Sequence, residues 1–159
     1  MSKSIERFAD AAGRYCAWAE AEPMDSTSEA RTARRFIAEL CLLVVQLPDA
    51  WIDHDSPEIT GEQREMVFRR FRALPFNYYS QCFNPLVVPA EQPVTADLAD
   101  DLADIWSDLK RGMVLYESGA IEAAASEWRF HFSAHWGHHA CGALYALQSW
   151  FSQNDDDLA

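Results

Sequence analysis

The chain has 159 residues, of which 49% are hydrophobic, 24% charged and 13% aromatic, and a formal net charge of −12. That length suits one domain, burying roughly 70% of the surface of its unfolded chain without a metal or disulfide staple. The apolar share excludes a disordered chain, six Gly and seven Pro exclude collagen-like and low-complexity classes, and the acidic balance argues against nucleic acid or an anionic membrane as partner.

The opening residues, MSKSIERFADAAGRY, hold no uninterrupted apolar run, so no secretory signal is expected. Ile5, Phe8, Ala12, Tyr15 and Ala19 recur at helical spacing and predict a first helix from Ser4 to Glu20. Pro23 ends it, and Asp25-Ser26-Thr27-Ser28 caps a second helix whose face is Ala33, Phe36, Ile37, Leu40, Cys41, Val44 and Leu47. Leu42, Leu43 and Val45 make its second half apolar all round, the pattern of a central buried helix. Its longest apolar run, Leu40–Val45, falls far short of the ~20 residues a membrane span needs. Thr60-Gly61-Glu62-Gln63 reads as a capping box, opening a third helix with Val67, Phe68, Phe71 and Leu74 inward.

Residues 75–94 carry Pro75, Pro85, Pro89 and Pro93 and cannot form a regular helix. Phe76, Tyr78, Tyr79 and Phe83 predict that this stretch lies against the core, as a structural strap or as a lid over a ligand. Thr95 caps a fourth helix with Leu98, Leu102, Ile105, Leu109, Met113 and Tyr116 on one face, ending near Ser118-Gly119. A fifth runs from Ile121 through Ala124, Trp128, Phe132 and Trp136; Gly137 marks a kink or break before it continues to Phe151. No segment shows sustained period-two alternation. The expected fold is all-α: one bundle of five or six helices over residues 1–152, with residues 153–159 a frayed, disordered acidic tail.

The segment from Tyr116 to Trp128 has the spacing of a tetratricopeptide helix–turn–helix, with Gly119 at the turn, Ala124 at the close approach and Trp128 filling the groove. It occurs once, so it reads as a single hairpin and not a solenoid. The run Asp100-Asp101-Leu102-Ala103-Asp104-Ile105-Trp106-Ser107-Asp108-Leu109-Lys110, then Gly112, Tyr116, Gly119, Trp128, Phe132 and His135-Trp136-Gly137-His138-His139, resembles a bacterial family catalogued as domain of unknown function 5063. The resemblance spans residues 78–150 and includes Tyr79 and the turn Phe83-Asn84-Pro85. The family pattern places aspartate where this chain has Asn84, and usually tyrosine where it has Trp106. The resemblance implies a small all-helical bacterial protein and brings no established activity.

Four of the five histidines fall between positions 131 and 139. On a continuous helix, Glu127, His131 and His135 climb one flank at four-residue steps, with His138 and His139 a turn beyond; two imidazoles at that spacing can chelate one ion. The fourth helix offers Asp97, Asp101, Asp104 and Asp108 along one flank of its apolar stripe. Matching distances from the turn puts Asp104 level with Ser133, Asp101 with Trp136 and Asp97 with Ala140. Three readings of Asp101, Asp104, Asp108, His131, His135 and His139 stand together: His–Asp hydrogen bonds at the core rim, a divalent site built on His135, His139, Asp101 and Asp104 with zinc or another ion, or plain exposed histidines. The di-iron carboxylate pattern is not met, because Glu127 and His131 are four apart and no Glu-x-x-His occurs.

Nucleophilic catalysis has little support, since there is no G-x-S-x-G elbow and no Gly-rich phosphate loop. The four cysteines, Cys16, Cys41, Cys82 and Cys141, form no C-x-x-C pair and read as reduced, mostly buried thiols of a cytoplasmic protein. Seven of eleven arginines fall in Arg31–Arg72 and are expected to pair with the chain's own acidic helices in preference to clamping phosphate. The sequence therefore points first to a cofactor-free, non-catalytic interaction module. Its partner surface would be Tyr78, Tyr79, Phe83, Trp106, Trp128 and Trp136, with Trp150 among further candidates. The alternative is a divalent-metal protein, such as a hydrolase, with its site between the fourth and fifth helices.

Overall fold

The computed structural model describes residues 2–154. In chain order these form α1 (Lys3–Glu20), α2 (Ser26–Val44), α3 (Gly61–Phe71), β1 (Tyr78–Gln81), β2 (Val94–Asp97), α4 (Leu98–Glu117), α5 (Ile121–His131), a π-helical turn (Phe132–Trp136) and α6 (Gly137–Asn154). The protein is a single, predominantly α-helical domain. No helix among the described residues is long and apolar enough to cross a membrane.

The elements form where side-chain chemistry starts and stops them. Asp25 accepts from the Ser28 amide to open α2, and Thr60 with Gln63 completes a full capping box at α3. α4 is the central helix, packed by α1, α3, α5 and α6. It buries Leu98, Leu102, Ile105 and Leu109 together with the polar Asp101, Ser107 and Asp108. This corrects the expectation for α2, which packs chiefly on α1 and α6 and leaves Leu42 and Val45 exposed.

Residues 78–97 also depart from the all-helix expectation. β1 and β2 pair antiparallel, with Tyr78 opposite Asp97 and Gln81 opposite Val94. Strands of four residues are too short for period two to stand out, and twelve residues separate them. Because Thr95 lies in β2, Asp97 caps α4, accepting from the Ala99 and Asp100 amides. Phe76 and Tyr79 pack on the core as expected; Tyr78 and Phe83 do not, and stand exposed. Two of the cysteines expected to be buried, Cys82 and Cys141, are exposed as well.

The predicted fifth helix is continuous but widened by one inserted residue. The Gly137 amide donates to the Phe132 carbonyl five residues back, and a Cβ on Gly137 would stand 2.3 Å from that same oxygen. α6 then runs through Gln153 and Asn154, past the expected start of the tail; residues 155–159 of that tail lie outside the described residues.

Trp128 locks α5 onto α4. Its indole donates to the Leu109 carbonyl at 3.0 Å, and the bare Cα of Gly112 makes room for the ring. A Cβ there would sit 2.0 Å from Trp128 Nε1. Gly→Ala in a helix ordinarily stabilises by about 1 kcal/mol, whereas overpacking a core costs about 1–3 kcal/mol. Gly112→Ala is expected to destabilise by about 2 kcal/mol, read as a lower urea midpoint at unchanged slope.

Candidate functional site

Three aspartates on one side of α4 meet two histidines from the segment that follows α5. His135, in the π turn, faces Asp108 at 2.7 Å from Nδ1. His139, in the first turn of α6, faces Asp101 at 2.8 Å from Nδ1. Each Nδ1 donates its proton, because an ionised carboxylate only accepts. Both Nε2 atoms are left turned toward Asp104 Oδ2, at 3.3 Å from His139 and 3.9 Å from His135. The ligand atoms of Asp104, His135 and His139 lie within 4.8 Å of one another. The two rings are 4.8 Å apart and nearly perpendicular.

The register differs from that of equal distances about the turn, which sets Asp104 opposite Ser133. Helical side chains tilt toward their own N-terminus. In an antiparallel hairpin the α4 aspartates therefore lean away from the turn, while the α6 histidines lean back toward it. Residues farther along α6 thus reach residues nearer the turn on α4. The extra residue in the π turn adds to the same displacement.

Each aspartate divides its two oxygens between a histidine and an anchor. Asp101 Oδ2 accepts from the Tyr79 hydroxyl at 2.5 Å. Asp104 Oδ1 accepts from Arg64 Nε and Nη2 at 2.9 and 2.7 Å, and Arg64 also reaches Asp100. Asp108 Oδ1 accepts from Arg111 at 2.6 Å. Burial is graded: Asp101 and Asp108 are buried, Asp104 is half-buried, and the His135 side chain is 44% exposed. Burial pushes the Asp101 carboxyl up from the usual carboxylate range, more than the His139 and Tyr79 hydrogen bonds pull it down. The hydrogen bond to Asp101 holds His139 above the ordinary imidazole value against the opposing effect of burial. Burial and the bond to Asp101 raise the Tyr79 phenol far above its usual range, so it stays a proton donor.

His131 takes no part in this cluster. It turns to Glu127, with Nε2 3.3 Å from Oε1. Glu127 is buried and also bound by His54 and Ser56, from the irregular segment between α2 and α3. His138 is exposed. Asp97 belongs to the α4 cap and to an ion pair with Arg72 at 2.7 Å. Four arginines of the arginine-rich segment pair with the chain's own acids, Arg64 with Asp100 and Asp104, Arg69 with Glu65, Arg70 with Glu29 and Arg72 with Asp97, while Arg34 bonds Gln148 instead.

The aromatic candidates separate sharply. Trp106, Trp128 and Trp136 are buried, so they cannot form a partner surface in this fold, and Trp150 is half-buried. Their indole N–H groups find internal acceptors, Trp106 on Glu20, Trp128 on Leu109 O and Trp136 on Trp128 O. Tyr79 is half-buried against Asp101, while Tyr78 and Phe83 are exposed. Sequence reasoning passed over Arg64, Arg111, His54 and the hydroxyl role of Tyr79. The Arg111 signal was its spacing three residues after Asp108 on one helix. Arg64, His54 and Tyr79 reach the clusters from other elements.

In comparison with solved structures, the chain is similar to the crystal structure of protein BF1032 from Bacteroides fragilis, with a TM-score of 0.76 and 23% identity over 92% of this chain and 91% of that one. That likeness concerns the fold. None of the curated proteins compared matches the chain. The family profile described as domain of unknown function DUF5063 matches residues 1–153, well beyond the stretch carrying the sequence resemblance. The chain is a member of the DUF5063 family.

Proposed function

We propose that this protein binds a divalent metal ion through His135 Nε2, His139 Nε2 and Asp104 Oδ2. One observation carries the reading: both imidazoles give Nδ1 to buried carboxylates and turn Nε2 toward the same aspartate oxygen. A carboxylate behind each metal-binding histidine fixes its tautomer and raises its basicity. Asp101 and Asp108 fill that place. Arg64 holds the other oxygen of Asp104, leaving Oδ2 as a single donor.

Tetrahedral coordination at 2.0–2.1 Å sets donors about 3.3 Å apart, the separation that His139 and Asp104 already have, so an ion would draw His135 inward from 3.9 Å. Two histidines and one carboxylate leave positions open for water or substrate. Bound there, zinc would lower the pKa of a coordinated water to about 7, the chemistry of a metal-assisted hydrolase. The scattered free cysteines fit a reducing, cytoplasmic setting for this reading.

A second reading, a protein-interaction module, draws on one different observation. The turn between β1 and β2 has no charged residue from Cys82 to Ala90 and presents Phe83, Leu86 and Val88 at 78%, 89% and 88% exposure. The tetratricopeptide-like spacing from Tyr116 to Trp128 belongs to this second reading, whose tryptophan support is gone.

Mass spectrometry of untagged protein is expected to show near-stoichiometric metal, and a chelator to lower the melting temperature by several degrees. His135→Ala should abolish both effects, and Asp108→Asn should weaken zinc binding by about 10–100-fold. Metal-free protein whose melt ignores both chelator and added zinc would leave the histidines as struts between α4 and α6.

The pH dependence has a definite sign. His139 has a raised folded pKa, so in metal-free protein its stabilising contribution is complete below its unfolded value of about 6.5. That contribution is lost as pH rises through the folded value. Zinc requires the deprotonated nitrogen, so its binding should strengthen as pH rises through that same interval. Calorimetric titration of zinc and metal-free melts across pH should therefore run in opposite directions.

A further inference from the structure

We infer that the strap over residues 48–56 is a latch that opens as pH rises, held closed by His54 as an imidazolium clasped between Glu127 and the Ile52 carbonyl. The segment has no regular secondary structure. It is tied to α5 by the Ile52 amide on Ser126 Oγ at 2.9 Å, the Ser56 hydroxyl on Glu127 Oε1 at 2.5 Å and His54 Nε2 on Glu127 Oε2 at 2.5 Å. His54 Nδ1 lies 2.6 Å from the Ile52 carbonyl oxygen. Both ring nitrogens thus face oxygens that only accept while Glu127 is ionised, so both must carry protons. A neutral ring would turn one lone pair onto an oxygen, in a place where the His54 side chain is 7% exposed and that of Glu127 is 1%.

Charged groups from each neighbouring element act on this clasp. On the strap, Asp53 adds negative field to His54. From α5, Glu127 faces His54 directly, and His131 holds the other carboxylate oxygen. From α4, Asp108 and Arg111 act on His131 with opposite signs. Burial pulls the His54 pKa down, but the hydrogen bonds to Glu127 and the Ile52 carbonyl outweigh it and leave it raised. Burial pushes Glu127 up, and its bonds from His131, Ser56 and His54 overcome that and lower it to about 2.

The signs define the window. A raised His54 stabilises fully below about 6.5 and loses that contribution as pH rises through its folded value. The lowered Glu127 stabilises fully above its unfolded value of about 4.5 and loses it as pH falls toward 2. Closure is therefore strongest between those limits and fails first on the alkaline side. Pro48, Ala50 and Ile52 of the strap wall a cleft of about 380 Å³, opposite Ile5 of α1 and Ile121 and Ala125 of α5. Releasing the latch changes access to that cleft without touching the His135–His139 cluster.

Hydrogen exchange on the full-length chain reads the latch through the Ile52 amide. After correction for intrinsic rates, its protection should fall by up to about tenfold per pH unit from about 6.5 up to the folded His54 pKa and level off above it, while core amides of α4 keep theirs. His54→Gln should show low protection with no such fall, whereas His131→Asn should keep the wild-type slope. Equal corrected protection at about pH 6 and about pH 8.5, the same fall in His54→Gln, or its loss in His131→Asn alone would overturn the assignment.

Discussion

A helix that places ionised carboxylates on its buried side must supply each with a partner, and α4 does this at Asp101 and Asp108. Desolvating such a group costs several kcal/mol, and removing a partner from a buried pair costs about 3–5 kcal/mol. The surrounding structure answers to that requirement. The β hairpin brings Tyr79 to Asp101, α3 brings Arg64 to Asp104, α4 itself brings Arg111 to Asp108, and the π turn with α6 brings the two histidines. Most of the elements packed around α4 contribute one polar group to the same seam.

This arrangement explains why the histidines are positioned with such narrow freedom. Each Nδ1 is fixed by a carboxylate that is itself fixed from its other oxygen, so rotation of either ring breaks a bond to a buried charge. The π turn belongs to the same constraint. An uninterrupted α-helix from Ile121 would carry His135 and His139 about 100° around the axis from where one inserted residue places them. Gly137 accommodates that insertion, since a Cβ there would meet the Phe132 carbonyl.

How much of this was legible depended on the range of each signal. The helices follow from local periodicity and caps, as at Ile5, Phe8, Ala12 and Tyr15 or at Thr60 and Gln63. The aspartate and histidine flanks could be named on their own helices. Their meeting required the roll of one helix on another and the lean of the side chains, neither of which is written in spacing. Tyr79 and Arg64 reach the seam from other elements, 22 and 40 residues away from the aspartates they bind. The tryptophan argument failed for a different reason. An aromatic surplus implies a surface only if the rings lack internal partners, and Trp128 and Trp136 find theirs on backbone carbonyls inside the bundle.

Charge balance connects the seam to its proposed chemistry. Asp100, Asp101, Asp104 and Asp108 face two guanidinium groups, Arg64 and Arg111, which leaves two negative charges to be met. One divalent cation bound by neutral imidazoles would meet them. The proposed ion would therefore balance the charge of the seam while leaving the Tyr79, Arg64 and Arg111 anchors in place. A site of this kind needs no large rearrangement to load, because the bonds that orient the two rings are the same with and without the ion. Binding of the proposed ion would depend on pH through His139, while the His54 clasp on Glu127 sits in its own surroundings on the other side of His131.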